Sequence, residues 1–245
     1  VTSIEQMLHR RSDLSTFLVH FTRDHPEKQS AVDALWSILS TGRIEARTPY
    51  GLAAGSTDSD VIESQRVVCF TETPLEHSWT MTRELAEDRK MRFAPFGIAF
   101  TKTFARRNHC NPVWYVNHTA GYDWPTRALN AAVRVETRPP SDPESIYRVT
   151  PFIEQMGTWS PASRKEFWWE REWRKTGDLA FGETHAVAVL APSEHHSRIR
   201  YWIDEHIPAL KLRPTPLQIL DPEWGLERMI AALSGVDPAD IGPFP

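Results

Sequence analysis

Short apolar runs that stop abruptly in polar residues constrain this chain more than any other feature. "STFLVHFTR", "RVVCFTETP", "FGIAFTKTF", "NPVWYVN" and "THAVAVLAP" each carry only a few β-branched or aromatic residues before a polar or proline exit. Such runs are too short to be buried helices and read as buried strands. Between them lie helical patterns. "AVDALWSILSTG" puts Ala31, Ala34, Leu35, Ile38 and Leu39 on one face, with Gly42 where a left-handed C-cap belongs. "SEHHSRIRYWIDEHI" does the same with Ile199, Trp202, Ile203 and His206. Further helices are expected in "SIEQMLHRRSD", in "LEHSWTMTRELAEDRKM" and in the tail "DPEWGLERMIAALSG". From "GYDWP" to "IYRVTPFIEQMG" the pattern is also helical, interrupted at "RPPSDPES", and Pro49 to Ser64 reads as a mobile loop with the composition of a lid. Strands and helices mix without regular alternation. That predicts an α+β chain, one domain over 1–245 with mixed and antiparallel sheets, a core over about 14–192 and a C-terminal helical extension over about 193–245.

Composition removes several function classes. With 245 residues, 40% of them hydrophobic, the chain can bury a sizeable core. No apolar run approaches the roughly 20 residues needed to cross a bilayer, and "VTSIEQMLHRRSD" lacks a signal-peptide core, so the expectation is a cytoplasmic protein with no membrane partner. Cys69 and Cys110 are too few and too far apart for a disulfide scaffold or zinc ribbon, and the ten histidines show no paired ligand spacing, so no metal is expected. No phosphate loop, GxSxG or HExxH occurs. A net charge of -4 gives no global attraction to nucleic acid. Such a partner would need a local patch, for which Arg23, Arg106, Arg107, Arg171 and Arg174 are the candidates.

Three places hold residues suited to chemistry. His20 interrupts an apolar strand, followed by Phe21, Thr22 and Arg23 as a polar exit. "CFTE" (69–72) ends a second strand in a hydroxyl and a carboxylate; Thr71 there either caps the following helix or borders a ligand. "EFWWEREWRK" (166–175) packs aromatic rings, carboxylates and cations together. Read as a strand, it puts Glu170, Glu172 and Arg174 on one face, the two carboxylates about 7 Å apart by strand rise. Read as a helix, it makes Glu170 and Arg174 an ordinary i,i+4 pair.

In order, "LVHFTR", "LWSILSTGRIEA", "VVCFTETPLEH", "FGIAFTKTFARRNHCNPVWYV" and "EREWR" resemble the AbiGi-type abortive-infection family of bacterial phage-defence proteins, over roughly residues 17–175. That resemblance implies a toxin–antitoxin setting, with a cognate antitoxin or toxin protein as partner and an antitoxin role as the alternative. The same order is similar to the motif arrangement of ADP-ribosyltransferases. On that resemblance NAD is the substrate and His20 holds its adenosine ribose, with Phe21, Thr22 and Arg23 bordering it. Phe70 and Thr71 belong to the nicotinamide pocket. Trp79, or His77 beside it, stands where an aromatic stacks on nicotinamide, although no Tyr follows "CFTE". Glu170 and Glu172 match the Glu-x-Glu pair, Glu172 being the catalytic one. The implied activity is transfer of ADP-ribose to a macromolecule, RNA, DNA or protein, with nucleic acid slightly favoured. A non-catalytic binding module and an NAD glycohydrolase are the alternatives.

Overall fold

The computed structural model describes residues 14–24, 29–84, 93–160, 163–207, 210, 213 and 215–236. The helix expected in "SIEQMLHRRSD" lies outside them, as does the end of the one expected after Leu75. The chain is α+β with mixed sheets and several helices. It divides into two compact units, the first drawn from Val1–Arg43, Glu72–Ala105 and Ala180–Pro245, the second from Ile44–Thr71 and Arg106–Leu179.

In the first unit, the strand Phe17–Phe21 pairs antiparallel with Gly97–Thr101, which pairs antiparallel with Ala186–Leu190. Ala186–Leu190 then takes Gln218–Leu220 as a parallel neighbour, so the region after residue 193 supplies a strand as well as helices. Leu18, Ile98, Phe100, Ala188 and Leu190 are wholly buried, which explains why these runs are apolar nearly throughout. The helix Ala31–Thr41 forms where its periodicity predicts. Ser30 caps its start by accepting from the Asp33 N–H, and Gly42 closes it in the left-handed region at φ 59. The helix His196–His206 buries Ile199 and Ile203 and turns Trp202 onto Trp36, ring centroids 4.8 Å apart.

In the second unit, the strand Arg66–Thr71 pairs antiparallel with Glu172–Thr176, in a register that sets Thr71 opposite Glu172 and Phe70 opposite Trp173. Asn111–Pro112 borders the other edge of Glu172–Thr176, and Thr48–Pro49 borders Arg66–Thr71. A separate sheet pairs Trp114–Asn117 in parallel with Ile153–Ser160, whose far edge takes Ser163–Lys165. "PFIEQMG" is therefore a turn and a strand rather than a helix. Pro151 stops helical propagation, and the parallel partner 40 residues upstream, which no local pattern encodes, captures the segment as strand.

The stretch 49–64, expected as a lid-like loop, is built into this unit. Tyr50 donates its N–H to the Gln65 carbonyl and Leu52 donates to Thr150. Gly51 sits at φ 98, where a Cβ would lie 2.1 Å from the Thr150 carbonyl oxygen, so only glycine lets the chain pass this close. Asp58 then caps the short helix Ser59–Ser64 by accepting from the Asp60 and Val61 N–H groups.

Candidate functional site

The "EFWWEREWRK" stretch is neither all strand nor all helix. Trp168–Glu170 is a 3-10 turn, Arg171 lies in the left-handed region at φ 48, and the strand begins at Glu172. A non-glycine residue at that φ is uncommon and ends the turn sharply. Glu170 thus leaves the strand face on which it was expected, while Glu172 and Arg174 keep the i,i+2 relation.

That relation produces the most heavily built side-chain cluster of the second unit. The Arg174 side chain is 2% exposed. Its Nε donates to Glu172 Oε1 at 2.9 Å and its NH2 to Glu172 Oε2 at 2.7 Å, a two-pronged fork. The same NH2 reaches Glu154 Oε2 at 2.7 Å, NH1 donates to the Pro151 carbonyl at 2.8 Å, and the guanidinium lies 5.1 Å over the Tyr50 ring. Glu154 also receives Lys165 on its other oxygen. Burial alone would raise the Glu154 carboxyl, but Arg174 and Lys165 outweigh it and hold the group below the usual carboxylate range. The Tyr115 hydroxyl, pushed up by burial and then by the charges of Glu172 and Glu170, accepts the Glu172 N–H at 3.4 Å. Beside the cluster, a cavity of about 220 Å³ is lined by Gly51, Leu52, Ile153, Glu154, Gln155 and Lys165.

Glu172 itself is 13% exposed at its side chain, and among the described residues its carboxylate takes only the two bonds from Arg174. An ionised carboxylate offers about four acceptor positions, so half of its capacity is left for a ligand. Thr71 Oγ1 donates to the Glu170 carbonyl at 2.6 Å, which pins the turn before Glu172 instead of capping the next helix. Phe70 is buried in the same strand. Glu170, Glu172, Phe70 and Thr71 are therefore brought together within one unit.

The other expected site residues belong to the first unit. His20 is half-buried in the strand Phe17–Phe21, opposite Ile98, and the Phe21 ring lies 5.9 Å from that of Phe93. Thr22 is buried, its N–H and hydroxyl both directed to the Phe96 carbonyl at 2.8 and 3.1 Å. Arg23 is half-buried. Trp79 is half-buried too, with the Arg83 guanidinium 5.2 Å over its ring. Glu72, the last residue of "CFTE", pairs with Lys102 at 2.6 Å.

Sequence reasoning missed Glu154, Lys165, Tyr50 and Tyr115. It also counted Arg174 among surface cations for nucleic acid, whereas the structure commits that side chain to a buried ion-pair network. Cys110 is buried and its thiol is pushed up to about 11, burial outweighing Lys175, so it is no nucleophile at neutral pH. Among the described residues no helix is long and apolar enough to cross a membrane. Compared with known proteins, the chain matches no family model, no curated protein and no solved structure.

Proposed function

We propose that this chain is an NAD-dependent ADP-ribosyltransferase of the abortive-infection kind, with Glu172 as its catalytic carboxylate. The observation that carries the reading is the state of Glu172: gripped by a buried guanidinium, yet with acceptor positions unfilled and partly open to solvent. Cleavage of the nicotinamide–ribose bond sends the electron pair out with nicotinamide and leaves oxocarbenium character on the ribose. A fixed carboxylate accepting hydrogen bonds from that ribose stabilises the charge as it develops, without reorganising at the moment of reaction. An acceptor oxygen or nitrogen then bonds to the anomeric carbon, and Glu170 takes the proton it loses.

The test is nicotinamide release from NAD by the purified full chain, with Glu172→Gln beside it, followed by labelled NAD offered to RNA, DNA and lysate protein. Turnover that falls about a hundredfold or more in the variant, with label appearing on one acceptor, is the expected result. NAD consumption without transferred label makes the chain an NAD glycohydrolase. A second reading is favoured by the same fork. If Glu172 serves only to neutralise Arg174, the chain is a non-catalytic binding module or antitoxin, and wild type and variant are equally inert with every acceptor.

A further inference from the structure

The helix Trp124–Val135 packs on the strand Trp114–Asn117 through Thr126, which is wholly buried and donates its hydroxyl to the Asn117 carbonyl at 2.7 Å. Its opposite face is open. Trp124, Ala128, Ala131 and Val135 recur at helical spacing along it and all are exposed, Trp124 at 71% and Val135 at 75%. Tyr122, just before the helix, is exposed at 71% as well. Such a stripe would ordinarily be an apolar face awaiting a protein. Here Arg127 and Arg134 flank it along one side, both exposed, about 10 Å apart by helical rise. The helix contains no carboxylate. Asp123 lies 3.6 Å from Arg127. Glu136, the next acid after the helix, is turned inward onto Arg138 with only 5% of its side chain exposed.

We propose that this face docks single-stranded nucleic acid. Exposed rings offer flat apolar surfaces on which unpaired bases stack, and the row of guanidiniums meets the phosphates; rings beside cations are the combination that holds single strands irrespective of sequence. The charge of the helix is complementary to a polyanion, and a duplex, whose base faces are hidden, fits the rings poorly. The surface goes beyond the NAD reading and stands or falls without it, because binding alone tests it.

The test measures fluorescence anisotropy of a labelled 12-mer of oligothymidine with the full chain over a range of salt, beside a duplex of the same length. The expected result is binding of the single strand with quenching of tryptophan emission. Trp124→Ala weakens it at least about fivefold, and Trp124→Phe recovers most of that loss. Arg127→Gln with Arg134→Gln flattens the slope of log affinity against log salt by about 1.4, for two phosphates released. Tyr201→Ala, which removes an exposed ring from another helix, leaves binding unchanged. Absence of binding at low salt, equal affinity for the duplex, or equal loss in Tyr201→Ala overturns the proposal. So does an oligomer that Trp124→Ala dissociates without change in oligothymidine affinity, which would give the face to a second copy of this chain.

Discussion

Two Glu-x-Arg sequences in the second unit fold into the same fork and are put to opposite uses. Glu172 and Arg174 face each other through Nε to Oε1 at 2.9 Å and NH2 to Oε2 at 2.7 Å; Glu136 and Arg138 do so at 3.0 and 3.1 Å. The difference lies in which partner is buried and what else it holds. Arg138 is 44% exposed, while Glu136 also accepts the N–H groups of Thr137, Arg138 and Ile146, so its acceptor positions are filled. There the carboxylate is the hub and it ties down a turn. In the other fork Arg174 is the hub, gathering Glu172, Glu154 and the Pro151 carbonyl, and Glu172 is left half-filled. An identical local motif thus makes a structural clasp in one place and an available, fixed carboxylate in the other. The choice is made by the surroundings.

Truncating the two hubs' arginines should separate them most widely. Arg174→Met leaves Glu172 and Glu154 without their shared buried cation, which costs about 3–5 kcal/mol. Urea unfolding should show that loss, and a much smaller one for Arg138→Met, whose guanidinium is already solvated. Equal losses would mean that burial does not distinguish the forks. Next in size is activity. Glu172→Gln should lower NAD turnover about a hundredfold while Glu136→Gln leaves it within about twofold, since Glu136 has no acceptor position to offer. Parallel losses would make both carboxylates structural.

These two forks also mark how far the sequence could be read. Glu172 and Arg174 were legible as a same-face pair because period two holds from the first residue of the strand. Glu170 was not, since the break between it and Glu172 is a left-handed Arg171, a conformation that no residue type there announces. The helix Ala31–Thr41 and the strand Phe17–Phe21 were legible because their patterns are local and their caps conventional. Glu154, by contrast, comes to Arg174 only because Ile153–Ser160 pairs with a strand far upstream, and its neighbours Pro151 and Phe152 read as an interrupted helix. Asp58 and Gly51, which build the stretch expected as a lid, signal a cap and a turn. What they pack against is nonlocal.

Acid should act on the two forks differently. The Arg138 side chain, and then the Ile146 and Arg138 N–H groups, hold Glu136 down at about 2. A folded value below the unfolded one, ordinarily near 4.3, means a stabilising contribution present in full above that unfolded value. It is lost as pH falls toward and through the folded value. Protection of the Ile146 amide against hydrogen exchange, corrected for intrinsic rate, should therefore decline between pH 4 and 2, and Glu136→Gln should remove that dependence. A flat profile in the wild type would show that the clasp does not depend on ionised Glu136.

The smallest effect expected is at Tyr115. Its hydroxyl accepts the Glu172 N–H at 3.4 Å, near the outer limit of a hydrogen bond, and so adds little to what Arg174 already fixes. Its burial, together with the charges of Glu172 and Glu170, keeps the hydroxyl protonated at every accessible pH, which excludes it as a base. Tyr115→Phe removes the oxygen and keeps the ring, so stability should fall by no more than about 1 kcal/mol and NAD turnover should stay within about twofold. A tenfold or larger loss of turnover with stability unchanged would move Tyr115 from a wall of the Glu172 fork into the chemistry. It would also show that Arg174 alone does not hold Glu172 in its working position.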